Sequence, residues 1–395
     1  MSPSRRSLTI ALLTGAWVTG AVVAIPAAAA EVIAPRLATE HVDLRLERLA
    51  TGLEHPWAAA ELPSGEWLVT ERPGRLSRIG TDGRVTRLAG VPEVASGHQG
   101  GLLDIVLHPD FGRGEGEGQG QGQDRDWVYL TWSQASHGGH ATTLSRGRLE
   151  GDALVELETL FTQNHFAPTR HHYGSRLAWR TDGTLLMSVG ERGRPPRAQD
   201  GGDHTGSVVR LTAEGGVPAD NPFVDNETVL DEIFTLGHRN PQGLTVAKDG
   251  TAWSTEHGPR TGDELNRLVA GENYGWPEVS RGNDYATNQP IGVDSAPGMR
   301  DPVHVFAGRF APSGLAEVTG DAFPAWRGDL LAGGLRSERL VRLSLDGDSV
   351  VEREVILEGQ IGRIRDVRLA RDGTLILLTD SANGGLYRLA PAAAE

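Results

Sequence analysis

The 395-residue chain has no cysteine, only three methionines and a single lysine, Lys248, among 38 basic residues. Without cysteine there are no disulfides, so the fold has to stand on its core and on any ions it binds. The arginine bias fits a G/C-rich coding sequence better than a functional demand. No His-Glu-x-x-His helix, Gly-x-Ser-x-Gly elbow or Rossmann glycine fingerprint occurs, which disfavours zinc hydrolysis, a serine nucleophile and nicotinamide chemistry. The adjacent His171 and His172 diverge on an extended chain, so thirteen histidines give no zinc-ligand spacing.

Long apolar runs are absent after the first thirty residues, and nothing later reaches the ~20 residues a spanning helix needs. Within residues 1–30, Arg5 and Arg6 open a charged start, 8–25 is an apolar run interrupted by glycine, and 27–30 are small residues. That order predicts an export signal cleaved near residue 30 and a mature protein in the periplasm or outside the cell. Ser4-Arg5-Arg6-Ser7-Leu8 resembles a twin-arginine signal, although paired arginines also occur in ordinary signals; an uncleaved anchor is the alternative. Beyond the signal, 52 acidic residues face 36 basic ones, a net charge of −16. Nucleic acid and anionic lipid are poor partners for such a chain.

Helical periodicity is also scarce, with Asp263–Ala270 the best candidate helix. What recurs is a Ser/Asp-Gly turn followed by an apolar strand: Ser64-Gly65 before Trp67, Asp182-Gly183 before Leu185, Asp249-Gly250 before Ala252, Asp372-Gly373 before Leu375. Asp82-Gly83 and Asp346-Gly347 mark further hairpins. Repetition over the 31–395 region predicts one all-β domain, a six-bladed β-propeller of four-stranded antiparallel blades; a two-domain β-sandwich is the rival. Residues 112–126 interrupt the pattern with Gly, Glu and Gln, and read as a loop insertion between strands 102–107 and 127–132.

Polar clusters fall at the strand ends, where sites are built. Gly237-His238-Arg239-Asn240-Pro241 offers donors for a developing oxyanion, and Gly258-Pro259 followed by Asp263-Glu264 offers oxygens for a hard cation. Gln99 precedes two glycines. His172 could serve as a general base, or as a structural histidine. Gly190-Glu191-Arg192-Gly193 alone is a polar turn. Arg363 and Arg365 share a strand face and could fork a carboxylate, with Arg336 as a third cation; a solvated edge is the plainer reading.

Together these clusters, from about Leu53 to Leu389, resemble the soluble pyrroloquinoline quinone (PQQ)-dependent aldose sugar dehydrogenases, relatives of soluble quinoprotein glucose dehydrogenase. The resemblance rests on Gln99-Gly100-Gly101-Leu102-Leu103, His172 with Ser175-Arg176-Leu177, Gly237–Leu244, Gly258-Pro259 with Asp263-Glu264-Leu265-Asn266, Asn273-Tyr274-Gly275-Trp276-Pro277, and Arg363–Asp366. It implies a secreted propeller enzyme that oxidises aldoses at C1 to lactones and passes electrons to an external acceptor.

In that resemblance His172 is the base at the sugar hydroxyl and Arg239 stabilises charge on the quinone. Gln99, Asn240, Arg336, Arg363 and Arg365 bind the cofactor, as His172 and Arg239 also do. The Gly258 and Pro259 carbonyls hold a calcium ion at the cofactor, and Glu264, Tyr274 and Asp284 belong to a second, structural calcium. Arg192 is a sugar contact by position. Two departures stand out: His171 replaces an aspartate that orients the base in the glucose dehydrogenase branch, and Arg336 replaces a lysine. A calcium-dependent lactonase and a non-catalytic carbohydrate-binding propeller are the competing functions.

Overall fold

The computed structural model describes residues 30–113 and 126–393. The expected signal and most of the 112–126 run lie outside the described residues. Six antiparallel sheets surround one axis, a six-bladed β-propeller with almost no helix. The innermost strands are Pro56–Glu61, Leu102–Leu107, Gly174–Trp179, Pro241–Val246, Pro312–Glu317 and Ile364–Leu369. Each begins in buried residues and ends in half-buried ones, so the blades pack closely where these strands start.

Ser64-Gly65, Asp182-Gly183, Asp249-Gly250 and Asp372-Gly373 fall between the first and second strands of their blades, whereas Asp82-Gly83 and Asp346-Gly347 join third to fourth strands. In two of them Asp182 and Asp372 accept from the backbone and hydroxyl of Thr184 and Thr374, which closes the turn with side-chain oxygen in place of a backbone acceptor. Both faces of most strands meet a neighbouring blade, which explains why alternation is weak in the sequence. This also corrects the expected helix at 263–270. Glu264–Leu268 is the third strand of the fourth blade, paired with Ala252–Glu256, and Leu265, Asn266 and Leu268 are all buried.

The ring closes through the chain's two ends. Leu44–Leu53 pairs antiparallel with Gly384–Pro391 and completes the sixth blade, while Glu31–Leu37 adds a fifth, outer strand to it. On the axis, the fully buried Arg176 donates to Asp104 (3.2 Å), to Asp366 (2.7 Å) and to the Gln242 carbonyl (2.9 Å), and lies over the Trp57 ring. Arg368 also pairs with both carboxylates. Five blades thus meet in one charge network at their inner strands.

At the flanks of the 112–126 run, Gly112 N donates to Asp126 Oδ1 (2.9 Å). Among the described residues, no helix is long and apolar enough to cross a membrane.

Candidate active site

In an antiparallel blade the start of the first strand and the end of the second lie at the same end. The segments before the inner strands (Gln99, His172, Arg239-Asn240, Arg363) therefore meet the segments after the second strands (Arg72, Glu191, His257, Leu335, Asp380). On the propeller axis lies a cavity of about 160 Å³, lined by Arg72, Gln99, Asn240, Gln242, Arg363 and Arg365 together with Trp57, Tyr173, His257 and Asp380; His172, Arg239 and Glu191 are outside this lining.

His172 stands beside this cavity in a left-handed backbone conformation (φ 54°), a strained geometry for a residue with a Cβ. Its backbone N–H donates to Gln99 Oε1 (2.7 Å). Gly190 makes the arrangement possible, because a Cβ there would lie 2.0 Å from the His172 carbonyl. The ring Nδ1 contacts the carboxylate of the buried Glu191. A neutral imidazole must donate Nδ1–H to that acceptor, which leaves the Nε2 lone pair as the basic atom. Burial pulls the His172 pKa below its ordinary value, the Glu191 contact opposes that pull, and Arg239 reinforces it.

Arg239 and Asn240 are set by a buried carboxylate, Glu256, which accepts from both of their backbone N–H groups and from His238 Nδ1 (2.8 Å). His238 is in turn held at Nε2 by Thr235 (2.9 Å) and stacks on Tyr274. Asn240 Oδ1 accepts from the Gly174 backbone (3.2 Å) and from Gln242 (3.3 Å). Its amide N–H groups have no protein acceptor among the described residues and remain available to the cavity. His257, also on the cavity wall, is pushed down to about 3 by burial and by Arg239, so it is neutral at any ordinary pH.

Arg363 and Arg365 come together as their shared strand face suggested, and a carboxylate that sequence reasoning missed joins them. Asp380 pairs with Arg365 (2.7 Å), Arg363 (3.3 Å), Arg72 (3.6 Å) and His55 (2.9 Å). Burial pushes this carboxyl up, but Arg365 and Arg72 outweigh it and hold it well below the usual range. The buried Arg365 Nε has no partner among the described residues. Arg336 is exposed at the same rim, next to Leu335, and is not among the residues lining the cavity.

The residues expected to hold ions are less united. The Gly258 carbonyl accepts from Arg239 Nη1 (2.8 Å), and the Pro259 carbonyl from the Tyr285 hydroxyl (2.8 Å). Behind this turn Asp263, pushed up to about 6 by burial, accepts from the Gly258 and Ala311 N–H groups. Glu264, Tyr274 and Asp284 each have separate partners. The Tyr274 hydroxyl donates to the Arg267 carbonyl, and Asp284 closes its own turn at Ala286 and Thr287. Glu264 accepts from Asn266 (3.4 Å), and desolvation with the neighbouring Glu256 raises it to about 8.

Arg192 differs most from its expected place. It is fully buried, its guanidinium donates to the Thr169 (2.9 Å) and His171 carbonyls, and it lies 3.4 Å over the Tyr173 ring. It therefore braces the segment carrying His172. Glu191, Glu256, Asp380 and Arg72, to which sequence reasoning gives no role, are charges at strand ends. Glu191, in the Gly190–Gly193 turn, and Glu256, just before His257-Gly258-Pro259, fall within polar clusters visible in the sequence; Asp380 and Arg72 do not.

The family model described as glucose/sorbosone dehydrogenase matches residues 53–388. The chain is 37% identical over 356 residues to the aldose sugar dehydrogenase YliI of Escherichia coli, covering 88% of this chain and 93% of that protein. A crystal structure of a glucose dehydrogenase superposes with a TM-score of 0.82 at 39% identity, over 89% of this chain and 99% of the other. The PQQ-bound form of an aldose sugar dehydrogenase from Streptomyces coelicolor does so with a TM-score of 0.71 at 28% identity, over 88% and 98%.

Proposed function

Since the chain belongs to the glucose/sorbosone dehydrogenase family, we propose that it is a PQQ-dependent dehydrogenase oxidising aldoses at C1 to lactones. The observation that carries this reading is the character of the axial cavity. Three guanidiniums face a single carboxylate in its lining, and the Arg365 Nε and the Asn240 amide N–H groups have no acceptor among the described residues. A planar ligand bearing several carboxylates and carbonyls satisfies such a wall, whereas a hydrolase acting on a neutral lactone has no use for it. Bound there with calcium, the quinone supplies the hydride acceptor that no side chain offers, activated at its carbonyl by the ion.

The chain's own residues divide the remaining work. Arg363 and Arg365 take carboxylates, and Gln99 and Asn240 orient the ring system. Arg239, with its guanidinium at the Gly258 carbonyl, stands beside the turn whose Gly258 and Pro259 oxygens suit calcium; its charge is placed to stabilise a developing oxyanion. Nε2 of His172 removes the proton from the C1 hydroxyl as the C1 hydrogen departs with its electron pair. Glu191 fixes the tautomer and offsets the imidazolium that forms. A structural calcium at Glu264 would offset the repulsion between this half-buried carboxylate and the neighbouring Glu256.

The basic start and apolar run of residues 1–30 support export, with reoxidation by an acceptor outside the cytoplasm. The reading is tested by mixing purified apoprotein with PQQ and calcium and following dye reduction across a panel of aldoses. Turnover with aldoses is expected. A cofactor that binds yet turns over no sugar would overturn it.

A further inference from the structure

Arg72 was not marked by any sequence pattern, yet it lines the axial cavity with Arg363 and Arg365 and shares their carboxylate, Asp380. The three guanidiniums differ in how far the protein occupies them. Arg365 donates to Asp380, Gln242 and Ser313. Arg363 donates to Asp380 and the Leu335 carbonyl at 3.3 Å each. Arg72 approaches Asp380 only to 3.6 Å, and no donor of its guanidinium is within hydrogen-bonding distance of a protein acceptor among the described residues.

The backbone beneath Arg72 is fixed. Its N–H donates to the His55 carbonyl (3.1 Å), and its carbonyl accepts from Leu102 N (3.2 Å). Gly101 packs so closely that a Cβ there would lie 1.9 Å from that carbonyl. A cation with unused donors, held on a rigid turn beside two other cations and one shared counter-charge, is the arrangement a multivalent anion requires. We propose that Arg72 is the third guanidinium of the cofactor clamp, binding a carboxylate in the place that the sequence pattern suggested for Arg336. The inference rests on the PQQ reading above.

The test is equilibrium binding of PQQ and of its trimethyl ester to apoprotein with calcium, for wild type, R72A, R72K and R336A, with thermal melts to verify folding. Wild type should prefer the acid over the ester. R72A should weaken PQQ at least about tenfold and reduce that preference, because the loss is of a charge-assisted contact to carboxylate. R72K should recover part of it, and R336A should keep the wild-type ratio. A folding defect would weaken both ligands alike, leave the ratio unchanged, and so count against the assignment. Wild type failing to bind PQQ would overturn the cofactor reading and this inference together. Wild type binding normally, with R72A unchanged or with R336A carrying the loss, would overturn the role of Arg72 alone.

Discussion

Nδ1 of His172 rests on the carboxylate of Glu191, nineteen residues further along the chain and on the adjacent strand end of the same blade. The orienting carboxylate expected just before the base, where His171 stands, is supplied instead from the next turn. The His172–Glu191 pair sets the tautomer, and it also sets the acidic limb of the rate profile. Burial depresses the His172 pKa and Glu191 partly restores it. A base works in its neutral form, so kcat/KM should fall as pH drops through a value below the ordinary histidine pKa. E191Q should move that limb to lower pH while lowering the plateau. A limb that stays in place or shifts upward would show that Glu191 does not act on His172.

Arg192 provides a second separation of roles. Its guanidinium braces the Thr169 and His171 carbonyls beneath Tyr173. R192M should therefore lower kcat, through displacement of His172, by more than it raises KM for the sugar. A direct sugar contact would do the reverse, with KM rising and kcat nearly unchanged.

The axial network makes a prediction about stability alone. Arg176 is surrounded by Asp104, Asp366 and the Trp57 ring, with no exposure to water. R176A leaves the buried Asp104 and Asp366 with Arg368 as their remaining guanidinium, and loss of one partner from such a buried network costs about 3–5 kcal/mol. Denaturant unfolding should show a loss of that size. A loss under about 1 kcal/mol would mean that the network is not what joins the blades.

Much of the site was legible because its chemistry is carried by residue types rare at strand ends. Gln99, Asn240, Arg363 and Arg365 do line one cavity. The paired Asp-Gly turns marked the blades correctly because positive φ and an Asx oxygen are local requirements. What escaped notice depends on long-range assembly. Arg72 sits in Glu71-Arg72-Pro73-Gly74, which reads as a surface turn until Gly101 from the next blade closes on it. Asp380 looks like a solvated acid after a strand until three arginines reach it. The expected helix at 263–270 arose because Leu265, Leu268 and Val269 mimic helical spacing, whereas a strand packed on both faces has no alternation to reveal it.

The most direct test of the account is a single-turnover comparison of wild type and H172Q, each loaded with PQQ and calcium. An aldose is added and the absorbance of the bound cofactor is followed. H172Q should bind the cofactor about as tightly as wild type, since the clamp lies elsewhere, and should reduce it at least ~10²-fold more slowly, as loss of a general base requires. Reduction at the wild-type rate in H172Q would contradict the central claim and leave the geometry around Glu191 without a catalytic purpose.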